Sequence, residues 1–354
     1  MLRAVSVELE RRRVRDFLRL PKKLYSRSTN MESPEEVKKL LLGIHPLSGY
    51  FRLTAFLIYD GKEAVGRFCI VRYPEDALAY LGFFECVNST AVARFLFENV
   101  RRFAKKMNCE SVIGPVNASF WLGYRLKING FERTPYTGEP YNREYYYELF
   151  LENGYRVKEH YVSNGYPADI PADKEKCERR LELFLERGYD IVSPERKDFD
   201  SALETLYGLI TSLYRDFPVY KEISFADFRT LFDGYRHILN MEMVKIAYYQ
   251  GEAVGFLVGV PDYGNRVYHT GDPRNLLRIL CLRRKPKAYV LLYLGAAPEH
   301  PGLGSAIAGC IWRQLREKRL SSIAALARDG KVTQNYARSR IVRRYEYVLL
   351  ERRL

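Results

Sequence analysis

The sequence predicts an α/β fold that occurs twice in one chain. With 354 residues, the chain is longer than most single compact domains, which favours two domains. The residues Glu-Ala-Val-Gly occur after a glycine turn in both range 60–70 and range 250–259, and each copy continues into an apolar run. A glycine turn between two apolar runs is typical of a β-hairpin. The two hairpins therefore indicate an internal duplication.

A second pair of matching segments follows the hairpins in the same order. Ala-Tyr-Leu-Gly-Phe-Phe at 79–84 and Leu-Tyr-Leu-Gly-Ala-Ala at 292–297 each predict an apolar strand. After each strand the pattern predicts a helix, with apolar residues recurring every three and four positions in the first copy, and then a further strand. Each copy thus has the order strand, hairpin, strand, helix, strand. The predicted helices are 89–106 and 305–318, and the strands after them are 111–113 and 323–326.

The rest of the chain adds loops, further helices and a final strand. The segment 114–192 is rich in Tyr, Gly, Asn and Pro, a composition typical of turns and ordered loops. Helices are predicted for 173–187 and 198–215, and Ser224 has the acidic residue three positions later that marks a helix start. Basic and apolar residues alternate over 338–353, as in a strand with one solvated face.

Charge and composition favour an anionic ligand and disfavour a metal. The formal net charge is +14 and the pI is near 9.4, which suits nucleic acid, acidic membranes or phosphorylated ligands without choosing among them. The six cysteines form no CxxC pair and the five histidines form no HxxxH or HExxH array. The charged N-terminus has no signal-peptide core, and no apolar run reaches the roughly 18–20 residues that span a bilayer. We therefore expect a cytoplasmic protein without a membrane partner.

The segment 293–306 has the features of an anion-binding turn. A strand ends, a turn containing Gly302 and Gly304 follows, and a helix is predicted to begin near Ser305. The first four N–H groups of a helix lack partners within the helix, and the helix N-terminus carries partial positive charge. Glycine permits positive φ and lets the backbone approach a phosphate closely. The spacing therefore predicts a phosphate site at this turn.

At this turn the sequence resembles the GNAT acyltransferase superfamily. The phosphate loop of that family is Gln/Arg-x-x-Gly-x-Gly/Ala, and 299–304 fits it except that Glu299 takes the place of Gln or Arg. Downstream, Asn335 at the start of a short helical stretch matches the family's asparagine near the pantetheine, and 345–350 matches its last strand. The segment 114–146 is similar to that of a group of bacterial double-GNAT proteins.

The resemblance implies two tandem GNAT-like domains, each a mixed, mostly antiparallel sheet flanked by helices. It implies acetyl-CoA or another acyl-CoA as cosubstrate, no metal, and an amine of a small molecule or peptide as acceptor. The domains would be a degenerate GNAT-like copy, a connecting segment and a CoA-binding acyltransferase domain, over 1–150, 151–190 and 191–354. The cofactor-binding residues that the resemblance implies are Leu294, Gly295, Ala296, Pro301, Gly302, Leu303, Gly304, Ser305 and Asn335.

The same resemblance suggests candidates for catalysis. In many family members a tyrosine protonates the departing thiolate, and Tyr293 and Tyr336 are the candidates for this role here. Glu299 is a candidate base, as are Glu222 and Asp262. A chain of water molecules can also carry the proton, so a dedicated base is not required.

The first copy lacks the phosphate turn. The segment 85–88, Glu-Cys-Val-Asn, stands between its strand and its helix without a glycine, and the loop is three residues shorter than in the second copy. Glu85 would lie close to the place of the phosphate. We predict that this copy does not bind CoA and is structural or forms a wall of the acceptor site.

Two other functions stay open. One is a Fem-like transferase that uses aminoacyl-tRNA on a paired GNAT scaffold, which the positive charge would suit. The other is a non-catalytic double-GNAT module that binds nucleic acid or protein, which the lack of recognisable catalytic residues favours. The intact glycine loop favours CoA over the aminoacyl-tRNA of the first alternative. The Tyr-rich segment 136–146 and the loop 217–220 either line the acceptor pocket or pack as ordinary loops. The basic stretch 274–287 either meets a CoA phosphate or an acidic acceptor, or is a solvated connector.

Overall fold

The chain forms two compact units in the computed structural model, which describes residues 1–168 and 176–354. The C-terminal residues of the chain belong to the first unit. The domain ranges given above stay a prediction. The first unit consists of Met1–Pro135, Pro140–His160 and Glu346–Leu354, and the second unit consists of Tyr136–Glu139 and Tyr161–Tyr345.

Helices and strands are distributed along the whole described chain. None of the helices in the described ranges is long and apolar enough to cross a membrane. In chain order the elements are β1 (Leu2–Ser6), α1 (Arg11–Leu24), α2 (Pro34–Leu41), β2 (Arg52–Asp60), β3 (Glu63–Arg72), β4 (Leu78–Cys86), α3 (Thr90–Lys106), β5 (Ser111–Gly114), β6 (Leu126–Lys127), α4 (Tyr146–Glu152), β7 (Arg156–Tyr166), α5 (Lys176–Glu186), β8 (Tyr189–Val192), α6 (Phe199–Leu213), α7 (Phe225–Phe232), β9 (Val244–Tyr249), β10 (Glu252–Pro261), α8 (Pro273–Arg284), β11 (Ala288–Ala296), α9 (Leu303–Glu317), β12 (Ser321–Arg328) and β13 (Arg343–Arg353).

The two predicted hairpins turn at their glycines. Gly61 has φ 56° and joins β2 to β3, while Gly251 has φ 85° and joins β9 to β10. Two-residue turns with positive φ match the twist of the flanking strands, and glycine adopts this φ at no steric cost. The turn chemistry therefore sets the pairing of both hairpins.

The sheet of the first unit is mixed and mostly antiparallel. Strands β1, β2, β3 and β4 pair antiparallel in this order. β5 runs parallel to β4 over Leu78–Tyr80 and antiparallel to the end of β13.

The sheet of the second unit has the same design. Strands β8, β9, β10 and β11 pair antiparallel in this order. β12 runs parallel to β11 over Ala288–Leu291 and antiparallel to the end of β7. In each unit the single parallel pair joins the strands before and after the long helix, so the predicted mixed, mostly antiparallel sheets are confirmed.

One long helix packs on the sheet of each unit. α3 buries Leu96 and Val100, and α9 buries Ile307, Ile311 and Leu315. Complete burial of such side chains contributes roughly 1.5–3 kcal/mol each. This packing fixes the start of each helix relative to the strand before it.

The structure refines three predicted elements. α9 begins at Leu303, two residues before the predicted start, because Gly302 already caps the helix. The helix predicted for 173–187 corresponds to α5, and its residues before 176 lie outside the described chain. The basic stretch 274–287 is mostly helical, as α8, and most of its residues are exposed or half-buried.

Candidate functional site

The end of β11 in the second unit separates from its parallel neighbour. β11 pairs with β12 only up to Leu291, whereas its pairing with β10 continues to Ala296. β12 has a register irregularity between Ala324 and Ala327, with Leu326 at φ 60°. The two parallel strands therefore diverge, and one edge of β11 is left without a strand partner beyond Leu291.

The side chain of Tyr214 reaches this free edge at Leu294. The Tyr214 hydroxyl donates to the Leu294 carbonyl at 3.1 Å and lies 3.3 Å from the Leu294 N–H, which can donate to it. Tyr214 follows the last residue of α6 and is buried, and its ring packs at a tilt against that of Phe217, with 4.7 Å between centroids. Both polar backbone groups of Leu294 thus face away from β10. The start of loop 217–220 lies beside them.

The turn after β11 ends in a glycine-capped helix. Gly302 has φ 96° and caps α9 without any side-chain hydrogen bond. The N–H of Leu303 donates to His300 and that of Ser305 to Gly302, both at 3.1 Å. Across the described ranges, the N–H groups of Gly302 and Gly304 donate to no protein acceptor. The N-terminus of α9 therefore offers the unpaired donors that the sequence predicts.

A cation lies directly beside this turn. A methyl group added at Gly302 would lie 2.5 Å from Nη1 of Arg180, so the guanidinium packs against the glycine backbone. Arg180 is half-buried on α5, and no carboxylate within 1–168 or 176–354 pairs with it. The sequence analysis missed Arg180, because no motif links it to a loop about 120 residues away.

Close packing holds α5 on α9. A methyl group at Gly309 would lie 2.4 Å from the Cys177 carbonyl oxygen, so only glycine permits this approach. The Ser305 hydroxyl contacts the Cys177 sulfur at 3.1 Å. Glu178 accepts two hydrogen bonds from the Arg316 guanidinium, one of them at 3.2 Å. Arg180 is therefore placed at the helix N-terminus by a packed interface and not by a mobile loop.

Tyr336 is the predicted catalytic residue that the structure brings to the turn. Its hydroxyl would lie 3.1 Å from a methyl group at Gly304. Burial, partly offset by Arg180, raises the pKa of Tyr336 to about 12, so the hydroxyl stays protonated at neutral pH and can donate. Asn335 before it is exposed and ends the short 3₁₀ helix Val332–Asn335, whereas the sequence analysis placed it at the start of a helix.

The other predicted catalytic residues have surroundings that differ from those of Tyr336. Tyr293 faces an apolar cavity of about 40 Å³, and its ring centroid is 6.4 Å from that of Tyr214. Glu299 is exposed in the turn, and Glu222 is exposed before α7. Asp262 accepts hydrogen bonds from the backbone of Thr137 at 3.0 Å and of Gly264 at 2.9 Å, as in a structural turn. Among the described residues, no cluster of His, Cys, Asp or Glu could hold a metal.

The corresponding edge in the first unit is closed by the chain itself. The Val116 N–H donates to the Leu81 carbonyl at 2.8 Å, and the Phe83 N–H donates to the Asn117 side chain at 2.8 Å. A methyl group at Gly82 would lie 2.1 Å from the Val116 carbonyl oxygen, so the contact is tight. The segment Gly-Pro-Val-Asn at 114–117, at the start of the range 114–146 named in the sequence analysis, thus fills the place that stays open in the second unit.

The helix start in the first unit is also occupied. The Ser89 hydroxyl caps α3 by accepting from the Val92 N–H at 3.4 Å. The buried Glu85 carboxylate accepts from the hydroxyls of Tyr25 at 2.9 Å and Tyr146 at 2.6 Å. The predicted phosphate position of this copy therefore lies in a packed polar cluster.

The charge state of Glu85 depends on pH near neutrality. Burial raises the pKa of Glu85 to about 7, against an ordinary value of 4.5, and Arg67 at 3.8 Å offsets only part of this effect. Arg67 also forms a two-contact ion pair with Glu32, which already supplies one negative charge. A second carboxylate charge in the cluster is therefore disfavoured.

Glu85→Gln should change the pH dependence of stability. Between about pH 4.5 and 7 the unfolded chain releases a proton that folded Glu85 retains, so wild-type stability falls as pH rises through this window. The variant lacks this loss, and its stability relative to wild type should increase from about pH 5 to pH 8. Urea denaturation at several pH values measures the difference. Exposed Glu75→Gln is the control, and a pH-independent difference for Glu85→Gln would contradict the assignment.

Solved structures with the same architecture identify the fold. The whole chain matches 98% of a tandem GNAT protein from the clavulanic acid biosynthesis pathway (without AcCoA), with a TM-score of 0.55 and 11% identity. It also matches, over its full length, 73% of a conserved protein of unknown function from Enterococcus faecalis V583 described as a probable N-acyltransferase, with a TM-score of 0.51 and 11% identity. No protein-family model and no curated protein matches the sequence.

These likenesses establish the class of fold. The chain has the tandem GNAT fold, and the predicted resemblance is confirmed at this level. The glycine-capped start of α9 was predicted in the sequence analysis, whereas the separation of β11 from β12 is visible only in the structure. The activity rests on the site and is treated as a proposal.

Proposed function

We propose that the second unit is an acyl-CoA-dependent N-acyltransferase that transfers an acetyl or longer acyl group to an amine. One observation carries the proposal. β11 separates from β12 after Leu291 and leads into the unpaired N–H groups of Gly302 and Gly304, beside the Arg180 guanidinium. A positive helix end, free donors and a cation that pairs with no carboxylate in the described ranges meet there, which suits a bound diphosphate.

Arg180 supplies the hydrogen-bond donors and positive charge that Glu299, at the Gln/Arg position of the loop, cannot supply. The GNAT loop pattern has Gln or Arg where this chain has Glu299, and a carboxylate next to a diphosphate would be repelled. Glu299 is exposed, whereas the Arg180 guanidinium packs on Gly302 and offers several N–H donors to phosphate oxygens. The cation that the motif lacks is thus supplied from α5.

The free edge of β11 would bind the rest of the cosubstrate. The pantetheine arm carries amide groups that can pair with the backbone of Leu294, Gly295 and Ala296, as an added strand does. The N–H of Leu294 would then face the thioester carbonyl and stabilise negative charge on its oxygen, with the Tyr214 hydroxyl within reach of the same position. Pro301, Leu303 and Ser305 would contribute through the turn and the first helical residues.

The reaction requires an amine in its neutral form. Its nitrogen attacks the thioester carbonyl carbon, a C–N bond forms, and the C–S bond breaks to release a thiolate. The protonated Tyr336 hydroxyl is our candidate donor to that thiolate, and Tyr293 is the second candidate. The amine loses its proton to water or to Glu299, since Asp262 is held in structural hydrogen bonds.

The acceptor class is a small-molecule or peptide amine. In loop 217–220 the Phe217 ring packs against that of Tyr214, whose hydroxyl contacts Leu294 at the proposed thioester position. In the segment 136–146, by contrast, Tyr136 and Tyr146 are buried in their own units. The loop is therefore the better candidate for the acceptor wall.

Arg180→Gln should weaken CoA binding by about tenfold or more. A hydrogen bond to a charged group contributes about 1.5–3 kcal/mol, and about 1.4 kcal/mol corresponds to a tenfold change in Kd. Isothermal titration of wild type with acetyl-CoA should show one equivalent bound per chain. The matched control is Arg179→Gln, which removes the same charge from an exposed neighbour on α5.

Three outcomes would contradict the proposal. Two equivalents per chain would mean that the first unit also binds CoA. Equal affinities of the Arg179 and Arg180 variants for acetyl-CoA would show that Arg180 does not contribute to CoA binding. Thermal stabilisation by aminoacyl-tRNA but not by acetyl-CoA or a long-chain acyl-CoA would favour the Fem-like alternative.

A further inference from the structure

Helix α8 presents apolar side chains to solvent. Leu276, Leu277 and Leu280 are 47%, 64% and 52% exposed, and Cys281 next to them is exposed as well. Ile279 is the buried residue of this helix. Because these leucines lie three or four residues apart or adjacent to one another, they form one stripe on the outer face. A stripe of this kind is unusual on a free surface, where large apolar side chains are normally scattered.

Cations surround the stripe, and no acidic residue falls within 273–287. Positions 274 and 278 lie on one flank of the leucines, and position 284 lies one turn beyond Leu280. The segment has a net charge of +6. Its basic residues are Arg274, Arg278, Arg283, Arg284, Lys285 and Lys287.

The body of the second unit holds α8 in place. The Asp272 side chain caps the helix by accepting from the Arg274 N–H at 3.0 Å. Asn275 donates to the His269 carbonyl at 2.9 Å, and Arg283 donates to the His237 carbonyl at 2.8 Å. The stripe therefore lies on a preformed helix, so no cost of ordering its backbone remains to be met when it binds.

We propose that α8 docks the protein on an anionic lipid surface. The leucines would enter the boundary between headgroups and acyl chains, and the flanking cations would meet lipid phosphates. This contact is peripheral, so it does not need the long apolar segment whose absence led us to expect no membrane partner. The proposal is independent of acyl transfer.

The charge pattern selects this partner over the alternatives. A second copy of a chain with net charge +14 would place like charges against each other. A nucleic acid would use the arginines but gain little from three exposed leucines. An anionic lipid surface is complementary to both the cations and the leucines.

Vesicle sedimentation tests the proposal with matched variants. Wild type should bind vesicles that contain phosphatidylglycerol, bind neutral phosphatidylcholine vesicles far less, and lose affinity as salt rises. Replacing Leu276, Leu277 and Leu280 by serine should weaken binding at least about tenfold. The apolar control replaces exposed Leu42 and Ile44 by serine. The charge test compares the double variant Arg274→Gln/Arg278→Gln with the double variant Arg11→Gln/Arg19→Gln on α1, where both arginines are exposed.

A fluorophore on Cys281 tests which surface makes the contact. Four of the six cysteines are buried, so a C310S background restricts labelling to Cys281. The emission of an environment-sensitive dye there should shift to the blue on anionic vesicles.

Three outcomes would overturn the proposal: no sedimentation of wild type with anionic vesicles, unchanged dye emission, or an equal loss of vesicle binding in the α1 and α8 charge variants. RNA retention that depends on the arginines but not the leucines, without vesicle binding, would assign the patch to nucleic acid instead. The leucine variant should retain the wild-type thermal unfolding curve, since the leucines are exposed.

Discussion

Replacing Gly302 by glutamate is expected to abolish CoA binding. Gly302 has φ 96°, a conformation that side chains with a Cβ rarely adopt, and its added Cβ would lie 2.5 Å from Nη1 of Arg180. The new carboxylate would also neutralise Arg180 and repel a diphosphate at the helix N-terminus. Steric and electrostatic effects therefore act together, and we expect a loss of affinity of at least about 100-fold, or about 2.7 kcal/mol.

Isothermal titration with acetyl-CoA measures this loss, and the first unit supplies the control. Asn88→Glu introduces the same charge before the start of α3, where an acidic side chain suits the helix dipole and no CoA is expected to bind. Thermal unfolding of both variants shows whether they are folded. Wild-type affinity in a folded Gly302→Glu protein would refute the placement of the diphosphate.

Much of the fold could be predicted because its signals are local. The glycine turns of the hairpins and the apolar spacing of α3 specify those elements within a few residues. The duplication became visible because both copies retain the same turn sequence. The glycine pair at 302 and 304 likewise predicts the capped start of α9, since only glycine readily takes the φ of the cap.

The rest of the candidate site depends on contacts between distant parts of the chain. Arg180 and Tyr214 come from α5 and the end of α6, and no sequence spacing relates either one to β11 or α9. The closure of the first copy likewise depends on Val116 folding back onto Gly82. Such contacts are set by packing between elements and have no periodicity along the chain. Asn335 was placed at the wrong end of its helix for a related reason, because helix boundaries depend on caps and not on composition.

The exposed face of α8 shows a further limit of prediction from sequence patterns. Its leucines and arginines can be identified in the sequence, yet the same residues would also fit a helix packed at the edge of a hydrophobic core. Only Ile279 is buried, and this fact depends on how the helix lies on the second unit. A run of cations can thus be recognised from the sequence, but the side chains that surround it in space cannot.

Arg67→Met should destabilise the protein by about 3–5 kcal/mol, the cost of removing one partner of a buried ion pair. Arg67 has no exposed surface, donates to the Phe17 carbonyl at 2.8 Å and to Glu32 at 3.1 Å, and lies 3.8 Å from Glu85. Its loss leaves the Glu32 carboxylate without a cation, whereas Glu85 is already partly protonated at neutral pH because burial raises its pKa to about 7. Glu32 would have to draw in water or take up a proton, and either response costs free energy of folding. Urea denaturation at neutral pH measures the change.

Two further variants separate charge from packing. Lys23 forms an exposed ion pair with Glu63 at 3.0 Å, and Lys23→Met should cost less than about 1 kcal/mol. Adding Glu32→Gln to Arg67→Met should recover part of the lost stability, because the double variant no longer has an unpaired charge at position 32. If the double variant is no more stable than Arg67→Met, the loss arises from the packing of Arg67 on Phe17, whose ring lies 4.6 Å from the guanidinium carbon. Recovery of stability would instead show that the unpaired charge causes the loss. The first copy would then hold its own anions and cation at the position where the second copy leaves room for a phosphate.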